Sequence, residues 1–81
     1  MNISYREKFT KNLNDFSIEI KKKVKKQIDY LSENIRHPSL HAKKYNESEG
    51  IWQARVDNSV RFYFKIENDT YILTDIKNHP K

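Results

Sequence analysis

Apolar and polar residues alternate most regularly over residues 51–64, which read as two β-strands folded back on each other. Trp52, Ala54 and Val56 fall on one face of the first strand, and Val60, Phe62, Phe64 and Ile66 on one face of the second. Directly opposed residues of an antiparallel pair point to the same side of the sheet. A two-residue turn at Asn58 and Ser59 sets Val56 opposite Arg61 and mixes core with solvent. The pattern therefore predicts a three-residue loop over 58–60, or a bulge, with Val56 opposite Phe62, Ala54 opposite Phe64 and Trp52 opposite Ile66. The other face then carries Arg55 beside Tyr63, and Asp57 beside Arg61.

Upstream the period changes. Residues 1–5, with Ile3 and Tyr5 alternating, predict a short first strand. Ser4-Tyr5-Arg6-Glu7 matches a capping box opening a helix over about 6–15, which buries Phe9, Leu13 and Phe16 at spacings of four and three. Ser17 is placed to cap a second helix running to about residue 34, with Ile20, Val24, Ile28, Leu31 and Ile35 as its apolar stripe. Pro38 disfavours helical geometry at His37 and ends it. The short joint predicts an αα-hairpin.

Downstream, Glu67-Asn68-Asp69-Thr70 signals a turn into a last strand over 71–77. Its register stays open. A two-residue turn puts Tyr71 and Leu73 on the core face, and one residue more puts Ile72 and Ile76 there. The order β-α-α-β-β-β predicts one α+β domain over residues 1–81. A helical hairpin covers one face of a small, mainly antiparallel sheet, and the other face is left partly open.

Composition narrows the chemistry. The chain has 81 residues, no cysteine and a single glycine, Gly50, which excludes a disulfide framework, a thiolate metal site and a glycine-rich phosphate loop. Its net charge of +5 favours a polyanionic partner, nucleic acid or an acidic protein. Nothing at the N-terminus resembles a signal peptide and no apolar run has membrane-spanning length, so the expectation is a cytoplasmic protein without a membrane partner. Lys21, Lys22, Lys23, Lys25 and Lys26 fall mostly opposite the apolar stripe and read as a solvated helix face. His37 and His41 are spaced i,i+4, but Pro38 lies between them and no third ligand is in view, so no metal and no cofactor is expected.

The open face carries the candidate chemistry. Alternation aims Arg55 and Arg61 there, where guanidiniums can hold a phosphate or stabilise charge on phosphoryl oxygens; an ion pair from Asp57 to Arg61 is the structural alternative. His79, three residues beyond Ile76, titrates in the range needed for proton transfer, with His41 as second candidate. Lys43, Lys44, Lys77 and Lys81 supply phosphate attraction, and Tyr63 an aromatic ring for a base. An Arg, Lys and His set around a phosphodiester suits attack by an RNA 2′-hydroxyl on its neighbouring phosphate, without metal.

The run GIWQARVDNSVRFYFKIENDTYILTDIKNH, preceded by HPSLHAKKY, resembles the RelE/ParE superfamily of small bacterial toxins from toxin–antitoxin modules. The shared pattern is a basic linker, a Gly–aromatic pair, a strand carrying Arg or Lys, a hairpin with an arginine before apolar and aromatic residues, and a last strand leading to His or Arg. The resemblance implies a ribosome-dependent mRNA endonuclease held inactive by a cognate antitoxin in a hetero-oligomeric complex. It also implies phosphate-contact roles for Arg61 and Arg55 and a proton-transfer role for His79. Val60 replaces the usual tyrosine before Arg61, Gln53 stands where some members carry lysine, and Pro80 and Lys81 follow His79 where many carry an aromatic. Within the superfamily, inhibition of DNA gyrase and antitoxin binding without activity are the alternative functions.

Overall fold

The computed structural model describes residues 1–78. Five strands form one sheet: β1 (Asn2–Tyr5), β2 (Lys43–Asn46), β3 (Ile51–Arg55), β4 (Val60–Glu67) and β5 (Thr70–Asn78), in the spatial order β1-β5-β4-β3-β2. Two helices, α1 (Glu7–Leu13) and α2 (Ile18–Glu33), precede β2 in sequence, and a short 3₁₀ turn, Pro38–Leu40, links α2 to it. The α+β architecture is the one the residue pattern predicts, with one addition. The stretch leading into the hairpin is itself a strand, antiparallel to β3 at the sheet edge. An edge strand of Lys, Lys, Tyr and Asn buries almost nothing, so periodicity gave it no signature. All other pairings are antiparallel except β1 with β5, which is parallel.

Phe9, Leu31, Leu40, Phe62, Phe64 and Leu73 are fully buried and form the centre of the core. They come from α1, α2, the 3₁₀ turn and one face of the sheet, and full burial of such side chains contributes roughly 1.5–3 kcal/mol each. Ser17 caps α2, its Oγ accepting the Ile20 N–H at 3.2 Å. At α1 the expected capping box does not form. Ser4 lies in β1, paired with Ile72, and the cap position falls to Arg6, whose N–H donates to the Leu73 carbonyl at 2.9 Å. Sheet pairing carried to the last residue before the helix satisfies that donor and leaves the serine without a capping role.

The β3–β4 register differs from expectation by two residues. Trp52 pairs with Phe64, Ala54 with Phe62, and Arg55 with Arg61. The loop is three residues long as predicted, but comprises Asp57, Asn58 and Ser59, closed by a Val56 N–H to Val60 carbonyl bond of 2.9 Å. The cause is the Asp57 carboxylate. Oδ1 accepts the N–H of Ser59 at 2.8 Å and of Val60 at 2.7 Å, an Asx-type turn that takes Asp57 out of the ladder. Because the slip is an even number of residues, the core and open faces keep the predicted membership.

The open question in β5 resolves as the first alternative up to a bulge and, beyond it, as the Ile76 half of the second; Ile72 pairs with Lys65 on the other face. Asn68, at φ 54°, and Asp69 make the two-residue turn, so Glu67 pairs with Thr70 and Tyr71 and Leu73 face the core. A bulge at Thr74 then shifts the register, Tyr63 pairs with Asp75, and Ile76 also enters the core. Thr74 Oγ1 donates to the Tyr63 carbonyl at 3.2 Å, which pins the bulge. Beyond it, Asp75 and Lys77 face the open side. Among the described residues no helix is long and apolar enough to cross a membrane.

Candidate functional site

The open face is built from β3, β4 and the far half of β5. Arg55 and Arg61 are direct cross-strand partners. Opposed Cβ atoms in such a pair lie roughly 4.5–5.5 Å apart, and like charges there repel. Both side chains are half-buried, so water screens that repulsion only in part. Arg61 Nη1 donates to the carbonyls of Asp57 and Val60, the latter at 3.1 Å. Arg55 Nε is buried and has no hydrogen-bond partner among the described residues. Among the described residues the ion pairs found are those of Lys8 and Lys77 with Asp75, so neither guanidinium is neutralised by a carboxylate. The Asp57–Arg61 pair does not form.

Asp57 nonetheless supports the site through the loop. Burial pushes its carboxyl up, but the hydrogen bonds from Ser59 and Val60 and the charges of Lys23 and Arg61 together hold it below the ordinary carboxylate value.

Above the two arginines lies an open cavity of about 360 Å³ lined by His41, Ala42, Lys43, Gln53, Arg55 and Arg61. Its wall is the entry to β2. His41 adopts a left-handed backbone (φ 46°, ψ 43°) that ends the 3₁₀ turn and directs the chain into the edge strand. Lys43 pairs with Gln53 and belongs to the cavity face. Lys44 pairs with Trp52 and lies on the opposite side, its Nζ 5.8 Å from the indole centroid. The two lysines grouped by sequence are thus divided by the sheet.

Tyr63 is buried, 5% exposed, and the Gln53 Nε2 donates to its hydroxyl at 3.2 Å. Tyr45 meets its ring edge-on at 5.0 Å, and Lys77 Nζ lies 5.6 Å from its centroid. The exposed phenol on this face is therefore Tyr45, at 56%. Lys77 pairs opposite Arg61, continuing the basic row onto β5. His79 and Lys81 lie outside the described residues.

Three polar residues on which this architecture depends were not singled out from the sequence. Gln27, buried in α2, donates to the carbonyls of Arg55 at 2.7 Å and Ser39 at 3.1 Å, while its Oε1 accepts the Ser39 hydroxyl at 3.0 Å. Gln53 fixes Tyr63. Asp75 accepts from Asn12 at 2.7 Å and pairs with Lys8 at 3.4 Å and Lys77 at 3.7 Å. Strand parity places Gln53 beside Arg55 and so could have flagged it; Asp75 required the bulge to be known. Among the described residues no group of three or more His, Asp or Glu side chains is arranged to hold a metal.

The face as a whole is a concave cationic floor with amide and imidazole donors at its rim, suited to an anionic ligand with several oxygens.

No protein-family model and no curated protein sequence matches the chain. Solved structures do. The YoeB/ParE toxin from Agrobacterium tumefaciens superposes with a TM-score of 0.79 at 10% identity, covering 99% of this chain and 100% of that one. The YoeB–YefM complex from Staphylococcus aureus gives a TM-score of 0.79 at 14% identity, covering 99% and 98%. The RelB–RelE antitoxin–toxin complex from Methanococcus jannaschii gives 0.74 at 19% identity, covering 93% and 88%. Similarity over the full length of such chains, with two helices on a mixed five-stranded sheet, gives this protein the RelE/ParE-type toxin fold.

Proposed function

We propose that the chain is the toxin of a toxin–antitoxin pair and acts as a ribosome-dependent mRNA endonuclease. The observation that supports this reading is the Arg55–Arg61 pair: two half-buried guanidiniums held opposite each other, with no carboxylate on either among the described residues. Such an arrangement is unfavourable in the free protein and becomes favourable when an anion enters between the charges.

In the proposed reaction the scissile phosphate lies over Arg55 and Arg61. The 2′-hydroxyl oxygen attacks the adjacent phosphorus, forming the O–P bond of a cyclic phosphate while the bond to the 5′-oxygen breaks. The guanidiniums stabilise the negative charge gathering on the phosphoryl oxygens. A base takes the 2′-hydroxyl proton and an acid supplies one to the leaving oxygen. His79 is assigned to proton transfer from its sequence position after Asn78, whose pairing with Val60 brings the end of β5 beside Arg61. His41, at the cavity rim, is the second candidate. Lys43, Lys77 and Lys81 are assigned to RNA contact on this face, with the exposed Tyr45 in place of the buried Tyr63, while Lys44 lies across the sheet beside Trp52. This set of groups can supply the chemistry without a metal or cofactor.

A cognate antitoxin, carrying acidic residues against the basic face, would complete a hetero-oligomeric cytoplasmic complex. Similarity to the RelB–RelE and YoeB–YefM complexes supports that part of the reading.

Induced expression in a bacterial host, followed by primer extension on abundant transcripts, tests it. Cuts within translated codons that vanish when translation is blocked are expected, together with loss of cutting in Arg61→Ala. Arrested growth with intact transcripts would overturn the nuclease reading in favour of gyrase inhibition.

A further inference from the structure

Beside the cationic cavity lies a second one of about 270 Å³, and the two share His41 and Ala42 as their common wall. Its apolar surfaces come from Ile35, Pro38 and Trp52, and its polar ones from Arg36 and His37. Among the described residues no carboxylate lines it. The volume is below the roughly 300–1,000 Å³ of sites that take drug-sized ligands, which suits a single flat heterocycle.

The polar groups offered there are donors. His37 Nδ1 accepts the Ser39 N–H at 3.1 Å, so in the neutral ring the proton sits on Nε2 and that nitrogen donates. The ring is held in place by stacking on Tyr30, at 3.8 Å and 8° between planes. Arg36 adds a planar guanidinium fork. Trp52 rests against Phe64 at 6.1 Å and is half-buried, leaving indole surface for the cavity.

We infer that this second cavity is a nucleobase subsite, and that it takes the guanine of a nucleotide adjoining the phosphate held by Arg55 and Arg61. The inference rests on the proposed phosphate site. Of the two purines, guanine presents two neighbouring acceptors, O6 and N7, to a guanidinium fork, whereas adenine sets a donor beside its N7. A pocket lined by donors and closed by an indole discriminates in that direction. His41 forms the ridge over which the sugar passes from one cavity to the other.

Trp52 is the only tryptophan, so its emission reports on the subsite directly. The full chain is titrated at constant ionic strength with inorganic phosphate, guanosine 3′-monophosphate and adenosine 3′-monophosphate. Heat of binding and Trp52 emission are followed together. Guanosine monophosphate is expected to bind about tenfold or more tightly than the adenosine nucleotide, the order one bidentate base contact supplies, and to change Trp52 emission. Arg36→Ala, an exposed position, should abolish that preference and leave phosphate binding unchanged. Equal binding of all three ligands with unchanged emission overturns the subsite and leaves the phosphate site standing. Phosphate affinity unchanged by Arg61→Ala overturns the phosphate site and, with it, the subsite.

Discussion

Gln27 on α2 donates its amide to the backbone carbonyl of Arg55 at 2.7 Å, joining the buried side of the second helix to the strand that carries half of the cationic pair. The same amide group makes both of its remaining bonds to Ser39 in the 3₁₀ turn. One side chain therefore fixes the end of β3 and the start of the wall that leads to His41 and Lys43.

Gln27→Leu keeps the volume and removes these bonds, leaving the Arg55 and Ser39 carbonyls without their partner. An unsatisfied buried polar group costs roughly 1–3 kcal/mol, so a loss of about 2–4 kcal/mol is expected. Urea unfolding of the variant beside the parent measures it, and an unchanged midpoint would show that the network contributes nothing net.

Removing one guanidinium should move activity and stability in opposite directions. Arg61→Ala deletes a group assigned to phosphoryl-charge stabilisation, and loss of one such donor typically lowers turnover by about 10²–10³. It also relieves repulsion against Arg55, which is worth roughly 0.2–1 kcal/mol for directly opposed like charges. Expected together are abolished mRNA cutting and a melting temperature equal to or slightly above the parent's. Phosphate should raise the parent's melting temperature and not the variant's. A variant that loses cutting because it unfolds would show the reverse thermal shift.

Asp57 gives the protein an acid-sensitive loop. Its carboxyl lies below the ordinary carboxylate value when folded, so its contribution to stability is complete above the unfolded value, roughly pH 4, and is lost as pH falls through the lower folded value. Asp57→Asn retains an acceptor for Ser59 and Val60 but not the charge. Urea midpoints across the acid range should therefore fall less steeply for Asp57→Asn than for the parent. Parallel curves would mean that Asp57 titrates alike in the folded and unfolded chains.

How much of this was legible beforehand depended on whether a signal was local. The stripes of α1 and α2, the Ser17 cap and the two faces of the hairpin follow from spacing within one element, and each forms as read. The exchange of an Asp57–Arg61 pair for an Asx turn was not legible, because a carboxylate next to a turn can serve the backbone or a cross-strand cation and alternation fits both. β2 escaped because an exposed edge strand has no apolar face to show. The Gln27 network joins α2, the 3₁₀ turn and β3 across 28 residues of sequence, and nothing near residue 27 distinguishes its amide from a solvated one.

The bulge at Thr74 offers the most direct test of how the fold makes the site. Ahead of it the turn at Asn68 and Asp69 sets Tyr71 and Leu73 toward the core; behind it Ile76 is core, and Asp75 and Lys77 lie on the open face. Deleting Thr74 joins Leu73 directly to Asp75 and removes only the unpaired residue, so regular alternation then sets Asp75 and Lys77 on the open face and Ile76 in the core without a bulge. No charge is moved toward the apolar side, and the end of β5 should stay paired with β4. Hydrogen exchange should then stay slow from Tyr71 to Asn78, with mRNA cutting retained because Lys77 still lies opposite Arg61. Thr74→Val retains the residue count and loses only the hydroxyl bond to the Tyr63 carbonyl, a change worth about 1 kcal/mol, and should keep both protection and cutting. Fast exchange from Asp75 to Asn78 and loss of cutting in the deletion variant would show that the bulge itself, and not the alternation of side chains, holds the end of β5 in place.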